Sequence, residues 1–506
     1  MPAFIYFCDY MFRLTQRDIQ QGYKGIRKLA IEAVKKNDYS TALSYIHHCS
    51  TIAGQFNWIY SDAIIEDLLQ KIAEGTINTS EVGFKPDSNR WVLYDDWCTS
   101  YVLAIQWLEA MAKSGKEILY ITSRDFTKPS RNASILDRVE AFKNVSVHVV
   151  PQGNEIERAQ DIYNTVISFN TSKLILHKGA ISSPVHLALY VLPKGVCKYI
   201  INLSDQTFWL GSKAIDYSLE FRQFGASVSL QKRGLRKEQL LLVPFYPADD
   251  RNEFAGFPKE CTKNKIIIFS GGDYYKTLNA KRTYWKLVKS ILEKYPQVIF
   301  LFATKNIPEG DTEIHQFIKD NSFEGRFIYI NFRPDIYQVF KHCDIYMGTC
   351  PTSGSLMSGL ACVNAKPILQ YYEPGTTDDE TEQSVCFNEQ YSISFSNENA
   401  FLKEADKLIN DAQYRKGQGE RLKHAIISTE QFDKLVLDTL ETNKIQLPVN
   451  VYQVDYEELF NRWYYLEKAG YTHTLPYIYS LLKKKRCLIH APSVFIKKNL
   501  NRIIAK

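Results

Sequence analysis

Twice in this chain, short apolar runs alternate with segments of helix length. The first series has strand candidates at 91–94, 118–121, 145–150, 174–177, 199–203 and 240–243, with helices expected at 98–113, 133–143, 155–169 and 184–192. The second has strand candidates at 265–269, 298–302, 327–331, 344–347 and 367–371, with helices at 281–294, 312–320, 335–342 and 355–362. Runs of four to six Val, Ile, Leu, Phe and Tyr residues suit strands buried on both faces. Consecutive parallel strands need a crossover, and a helix supplies it. The expected fold class is therefore α/β, with two doubly wound Rossmann-like domains in succession.

What lies outside the two series is helical or irregular. Apolar residues recur at helical spacing in the first 80 residues: Ile26, Leu29, Ala30, Ala33; then Ala42, Leu43, Ile46, Cys49; then Ile64, Ile65, Leu68, Leu69, Ile72. They predict a helical cap or interaction module. The stretch 244–263 holds three prolines and reads as a linker. The expected organisation is a helical extension over 1–88, a first α/β domain over 89–247, a linker over 248–263, a second α/β domain over 264–430, and C-terminal helices with a basic tail over 431–506.

Charge bears on partners only through its distribution. The net charge is +6, yet residues 483–506 carry eight Lys or Arg and no acid. Removing those eight leaves −2 for the rest of the chain. That tail interleaves its cations with Leu488, Ile489, Val494, Phe495, Ile496, Leu500, Ile503 and Ile504, so it could lie on an anionic membrane surface. It could equally be a solvated terminal helix. No nucleic-acid-binding motif accompanies it, and no nucleic-acid partner is expected. There is no apolar run of 18 residues, and the start lacks a basic n-region and a small-residue cleavage site. Ten cysteines are scattered without CxxC spacing or Cys/His clusters. A cytoplasmic protein with reduced thiols and no metal site is expected, with a peripheral position at the inner membrane face as the alternative that the tail allows.

The chemistry concentrates between His342 and Gly375, HCDIYMGTCPTSGSLMSGLACVNAKPILQYYEPG. A short strand runs into Gly348-Thr349-Cys350-Pro351-Thr352-Ser353-Gly354, and a helix follows from Ser355. A helix start carries unpaired N–H groups and partial positive charge, which suits a phosphate. Thr349, Thr352, Ser353 and Ser355 would add hydroxyl donors, and Gly354 would admit a ligand to the backbone. An ordinary βα turn with a Ser/Thr cap has the same composition.

The residues Cys343-Asp344-Ile345-Tyr346, Thr349, Pro351, Gly354, Leu356, Ala361 and Lys366-Pro367-Ile368-Leu369 resemble the donor-binding stretch of GT-B-fold, nucleotide-sugar-dependent glycosyltransferases of the group 1 or O-GlcNAc-transferase-like type. The resemblance covers the C-terminal half. It implies a GT-B architecture, a UDP-sugar as the expected donor, and no required cofactor or metal. Retaining members of that large group carry a Glu early in the helix, where this chain has Ser358. Inversion is therefore the preferred expectation.

Ligands of open parallel sheets sit beyond the carboxyl ends of the strands. On the donor side this selects Gly271, Gly272 and Lys276 after the strand at 265–269, Arg333 after 327–331, and Glu373 after 367–371. Lys276 offers a cation to a diphosphate. Arg333 would lie near the base or diphosphate, or cap the helix through Asp335, and Glu373 would meet ribose hydroxyls or face solvent. On the acceptor side a general base is needed. Asp205, which follows a buried strand and precedes Phe208 and Trp209, ranks first; His177 is second and Asp95 third, the last as a possible helix cap. Asp216, Glu220 and Arg222 would hold the acceptor or pair with one another.

The expected activity is sugar transfer to a hydroxyl of a glycan, lipid-linked or protein acceptor, in surface polysaccharide or glycoconjugate synthesis. A non-catalytic homologue acting as partner of another transferase, and a nucleotide-sugar epimerase, are the alternatives.

Overall fold

The computed structural model describes residues 15–79, 83–96, 101–123, 133–179, 184–249, 252–262, 264–304, 312–331, 333–374 and 380–468. The basic tail at 483–506 lies outside the described residues.

Seven strands form the first sheet: β1 (Asp87–Asp95), β2 (Glu117–Thr122), β3 (Val145–Val149), β4 (Thr171–His177), β5 (Cys197–Ile201), β6 (Tyr217–Glu220) and β7 (Leu240–Leu242). Their order is β3-β2-β1-β4-β5-β6-β7, and every pairing is parallel. The second sheet holds β8 (Ile266–Gly271), β9 (Val298–Ala303), β10 (Phe327–Ile330), β11 (Ile345–Met347), β12 (Ile368–Tyr371) and β13 (Ser394–Phe395), in the order β10-β9-β8-β11-β12-β13. It is parallel throughout as well. Each sheet is doubly wound, so each has a switch point where the order reverses: between β1 and β4, and between β8 and β11.

Two strands escaped the sequence reading, β6 and β13. β6 is four residues long and ends on Glu220, so it lacks the apolar run that marks a buried strand. Its carboxylate is fully buried and accepts hydrogen bonds from Asn202 Nδ2 at 2.7 Å, Ser218 Oγ at 2.8 Å and Ser229 Oγ at 2.6 Å. Only partners brought in by the fold make that burial tolerable.

The helical extension is built from Gln16–Lys35, Tyr39–Phe56 and Ala63–Thr76. Thr15 and Asp18 cap the first helix reciprocally. The apolar stripes legible in the sequence (Ile26, Ile46 and Leu69 among them) join one cluster with Val92, Tyr94, Leu174 and Leu176 of the first sheet. The extension is thus a layer of the first domain's core. Glu66, inside the third stripe, is fully buried and accepts from Gly211 N at 2.9 Å and from the Tyr190 hydroxyl.

The two domains share a core. Trp107 and Leu108 from the first cluster with Phe269, Tyr346 and Leu360 from the second, and with Phe432 of the helix Thr429–Thr442. After that helix the chain returns to the first domain: Tyr452 N donates to Ser227 Oγ at 3.1 Å, and Asn450 N to Gln223 Oε1 at 2.8 Å. No helix among the described residues is long and apolar enough to cross a membrane.

Candidate functional site

At the switch point of the second sheet, two loops converge. β8 ends at Gly271, and Gly272 takes φ +147°, a conformation that favours glycine. A Cβ at Gly272 would lie 3.6 Å from Lys276 Cδ and 3.8 Å from Thr349 Cγ2. Lys276 rides on a single 3-10 turn, Tyr274–Thr277, fastened by Thr277 Oγ1 to Tyr274 O at 2.8 Å and by Trp285 Nε1 to Thr277 Oγ1 at 3.2 Å.

The β11 loop is locked from within. Thr349 Oγ1 donates to Thr352 O at 2.7 Å, and Gln370 Nε2 donates to Thr349 O at 3.1 Å. Gly348 makes room for Gln370, whose Oε1 lies 1.7 Å from where a Cβ would stand. The two loops are joined by Thr352 N, which donates to Lys276 O at 3.3 Å.

This loop opens onto the helix Ser355–Val363, whose N-cap Gly354 supplies no side-chain cap. The buried hydroxyls of Thr352 and Ser353 have no hydrogen-bond partner among the described residues. Such unpaired donors are costly to bury, and a phosphate would satisfy both them and the helix start. Ser355 Oγ accepts from Ser384 Oγ at 3.1 Å. Gly271, Gly272, Lys276, Thr349, Thr352, Ser353, Gly354 and Ser355 therefore come together.

Two donor-side candidates have other commitments. Arg333 forks onto Asp335 at 2.7 and 2.6 Å, and its Nη1 donates to Gly256 O at 2.8 Å. It ties the linker to the second domain, the helix-start pairing that the sequence left open. Glu373 accepts from Asn279 Nδ2 at 2.5 Å and Thr283 Oγ1 at 2.7 Å, pinning the turn that follows the Lys276 loop. A cleft of about 580 Å³, with Trp285, Phe317 and Lys286 among its walls, lies between two helices of this domain and meets the loop region at Tyr274.

At the switch point of the first sheet, β1 and β4 end on residues in register, Asp95 beside His177. His177 Nδ1 lies 2.8 Å from Asp95 Oδ1, and Tyr120 OH donates to Asp95 Oδ2 at 2.5 Å. An ionised carboxylate only accepts, so Nδ1 carries the proton and donates. His177 Nε2 has no hydrogen-bond partner among the described residues, and both side chains are fully buried. A carboxylate fixing an imidazole in this way leaves Nε2 as the basic nitrogen. Two of the three base candidates thus form one dyad.

Asp205, ranked first from the sequence, is held in a buried ion pair. Arg222 forks onto it from Nε at 2.5 Å and Nη2 at 2.8 Å, and both residues are buried. Arg233 Nη2 donates to the carbonyls of Asp205 and Thr207 at 2.7 Å each. Both oxygens of that carboxylate are thus engaged by the guanidinium of Arg222. The flanking Phe208 and Trp209 suggested a desolvated acid from the sequence, but the fold also brings Arg222, 17 residues later, onto the carboxylate. Asp216 accepts from Lys198 N at 2.7 Å, so it closes a strand end. Burial instead pushes up the carboxyl of Glu220.

Sequence reasoning missed Glu66, Tyr120 and Gln370, each inside a run read as core. Lys178, next to His177, is a buried lysine whose pKa burial lowers to about 8.

No protein-family model matches this chain, and no curated protein sequence matches it. Solved structures do resemble it. A variant of O-GlcNAc transferase from Thermobaculum terrenum superposes with a TM-score of 0.52 at 12% identity, over 85% of this chain and 82% of that one. A glycosyltransferase from Rickettsia africae gives 0.50 at 10% identity, over 74% and 99%. A putative UDP-N-acetylglucosamine 2-epimerase from Listeria monocytogenes gives 0.50 at 10% identity, over 73% and 100%. The chain has the GT-B fold of glycosyltransferases: two Rossmann-like domains, each presenting the carboxyl ends of its strands as a ligand edge.

Proposed function

We propose that this protein is a glycosyltransferase that takes a nucleotide sugar, most simply a UDP-sugar, and transfers the sugar to an acceptor hydroxyl. The observation carrying this reading is the convergence of Gly272, Lys276 and Thr349 with the orphaned hydroxyls of Thr352 and Ser353 at one helix start. The donor diphosphate rests there, and Lys276 and the backbone amides take up charge as the leaving group departs, without a bound metal. Across the cleft His177 Nε2 accepts the acceptor's hydroxyl proton while Asp95 holds the ring. The acceptor oxygen bonds to the anomeric carbon, and the bond to the diphosphate breaks with its electron pair on the nucleotide. A single displacement of this kind inverts the anomeric configuration. Because His177 is fully buried, the acceptor reaches it only in an opened cleft.

Nucleotide binding tests the donor site. At a hundred times its Kd, UDP or its sugar should add about 2.7 kcal/mol to native-state stability. Lys276→Ala should weaken that binding by about 1.5–3 kcal/mol, the contribution of one charge-assisted hydrogen bond. If no nucleoside diphosphate or nucleotide sugar raises the melting temperature, the chain is a non-catalytic scaffold and the loop only a turn.

Epimerisation at the same cleft is a second reading, supported by the likeness to the Listeria protein and by the Asp95–His177 dyad. It yields an altered sugar nucleotide without any acceptor, and product analysis separates the two. The acceptor is a glycan, lipid-linked or protein hydroxyl, with surface polysaccharide or glycoconjugate synthesis as the setting. The basic tail would then hold the enzyme at an anionic membrane. Sedimentation with anionic vesicles, lost on removing 483–506 and absent with neutral vesicles, is the expected result.

A further inference from the structure

Three apolar clusters meet on one helix, Tyr456–Lys468. Leu459, fully buried, packs with Tyr60 and Phe224 of the first domain. Phe460 joins the cluster of the helical extension, its ring centre 6.5 Å from that of Phe56. Leu466 enters the core of the second domain, and the Trp463 ring lies 5.4 Å from that of Tyr275. Residues 459, 463 and 466 share one helix face, with 460 and 464 beside it. Tyr275 directly precedes Lys276 on the 3-10 turn, and the Lys276 carbonyl accepts from Thr352 N. A displacement of Tyr275 therefore moves Lys276 and the peptide that joins the two donor loops.

We infer that Trp463 is a positioning residue for the donor site. It braces Tyr275, and through it keeps Lys276 and the Thr349–Ser355 loop in register for a nucleoside diphosphate. This rests on the donor-site reading above. It also gives the helical extension a second role, since Phe56 seats the helix that carries the brace. The aromatic pair matters more than the exact ring, because a packed neighbour restricts Tyr275 through shape and area.

The test is calorimetric titration of the full-length protein with UDP, alongside melting temperatures. Trp463→Ala should weaken UDP binding about tenfold, and Trp463→Phe should restore most of it. Leu408→Ala removes another buried residue of the same core cluster, on the helix Glu398–Asn410. It should lower the melting temperature and leave UDP affinity unchanged. Wild-type affinity in folded Trp463→Ala overturns the inference while the donor site stands. So does an equal loss in Leu408→Ala, because destabilisation alone would then account for it. A wild-type protein that neither binds nor is stabilised by any nucleoside diphosphate overturns the donor-site reading and the brace together.

Discussion

His177→Ala should lower turnover by about 10²–10⁴-fold, the usual contribution of a general base, while nucleotide affinity stays at its wild-type value. The separation follows from position. His177 ends β4 in the first sheet, and the loops proposed for the nucleotide follow β8 and β11 in the second. Asp95→Asn should lose part of the same activity, because the amide no longer enforces the tautomer that leaves Nε2 basic. Steady-state rates with a saturating donor, paired with UDP titrations of each variant, check both expectations. Full turnover in His177→Ala would remove the dyad from the mechanism. A donor affinity that fell with it would mean that the substitution had disturbed the cleft as a whole.

Asp205→Ala should cost about 3–5 kcal/mol of stability, the typical result of breaking a buried ion pair from one side. Arg222 is 3% exposed, so removing Asp205 takes its forked carboxylate partner away inside the protein. The double variant Asp205→Ala with Arg222→Met should recover much of the loss, since the Arg222 charge is removed together with its carboxylate partner. Denaturant midpoints of the two single variants and the double variant measure this. A stable Asp205→Ala protein that had lost only its turnover would return Asp205 to the role of base. The sequence ranked it first because it sees neighbours along the chain, and Phe208 and Trp209 are apolar. The structure sees Arg222 and Arg233 as well.

That contrast recurs across the molecule. The loops around Lys276 and Thr349–Ser355 were legible because a doubly wound sheet dictates where they go. Each follows a strand of the same sheet, and β8 and β11 are adjacent. Arg333 and Glu373 also follow strands, yet their charges go to Asp335 and to Asn279 and Thr283, and spacing along the chain does not encode such pairings. The extension read as a cap from its periodicity. Its union with the core of the first sheet, and the reach of Glu66 to Gly211, depended on which face met which.

By itself the sequence determined the alternating elements, hence two parallel sheets, and which residues follow each strand. Those follow from local periodicity and from the covalent need for crossovers, which act over a few tens of residues. Only the tertiary structure decided how the polar and charged groups pair. His177 was given to Asp95, and Asp205 to Arg222. A side chain's protonation and reach depend on partners within a few ångströms, and folding selects those partners from anywhere in the chain.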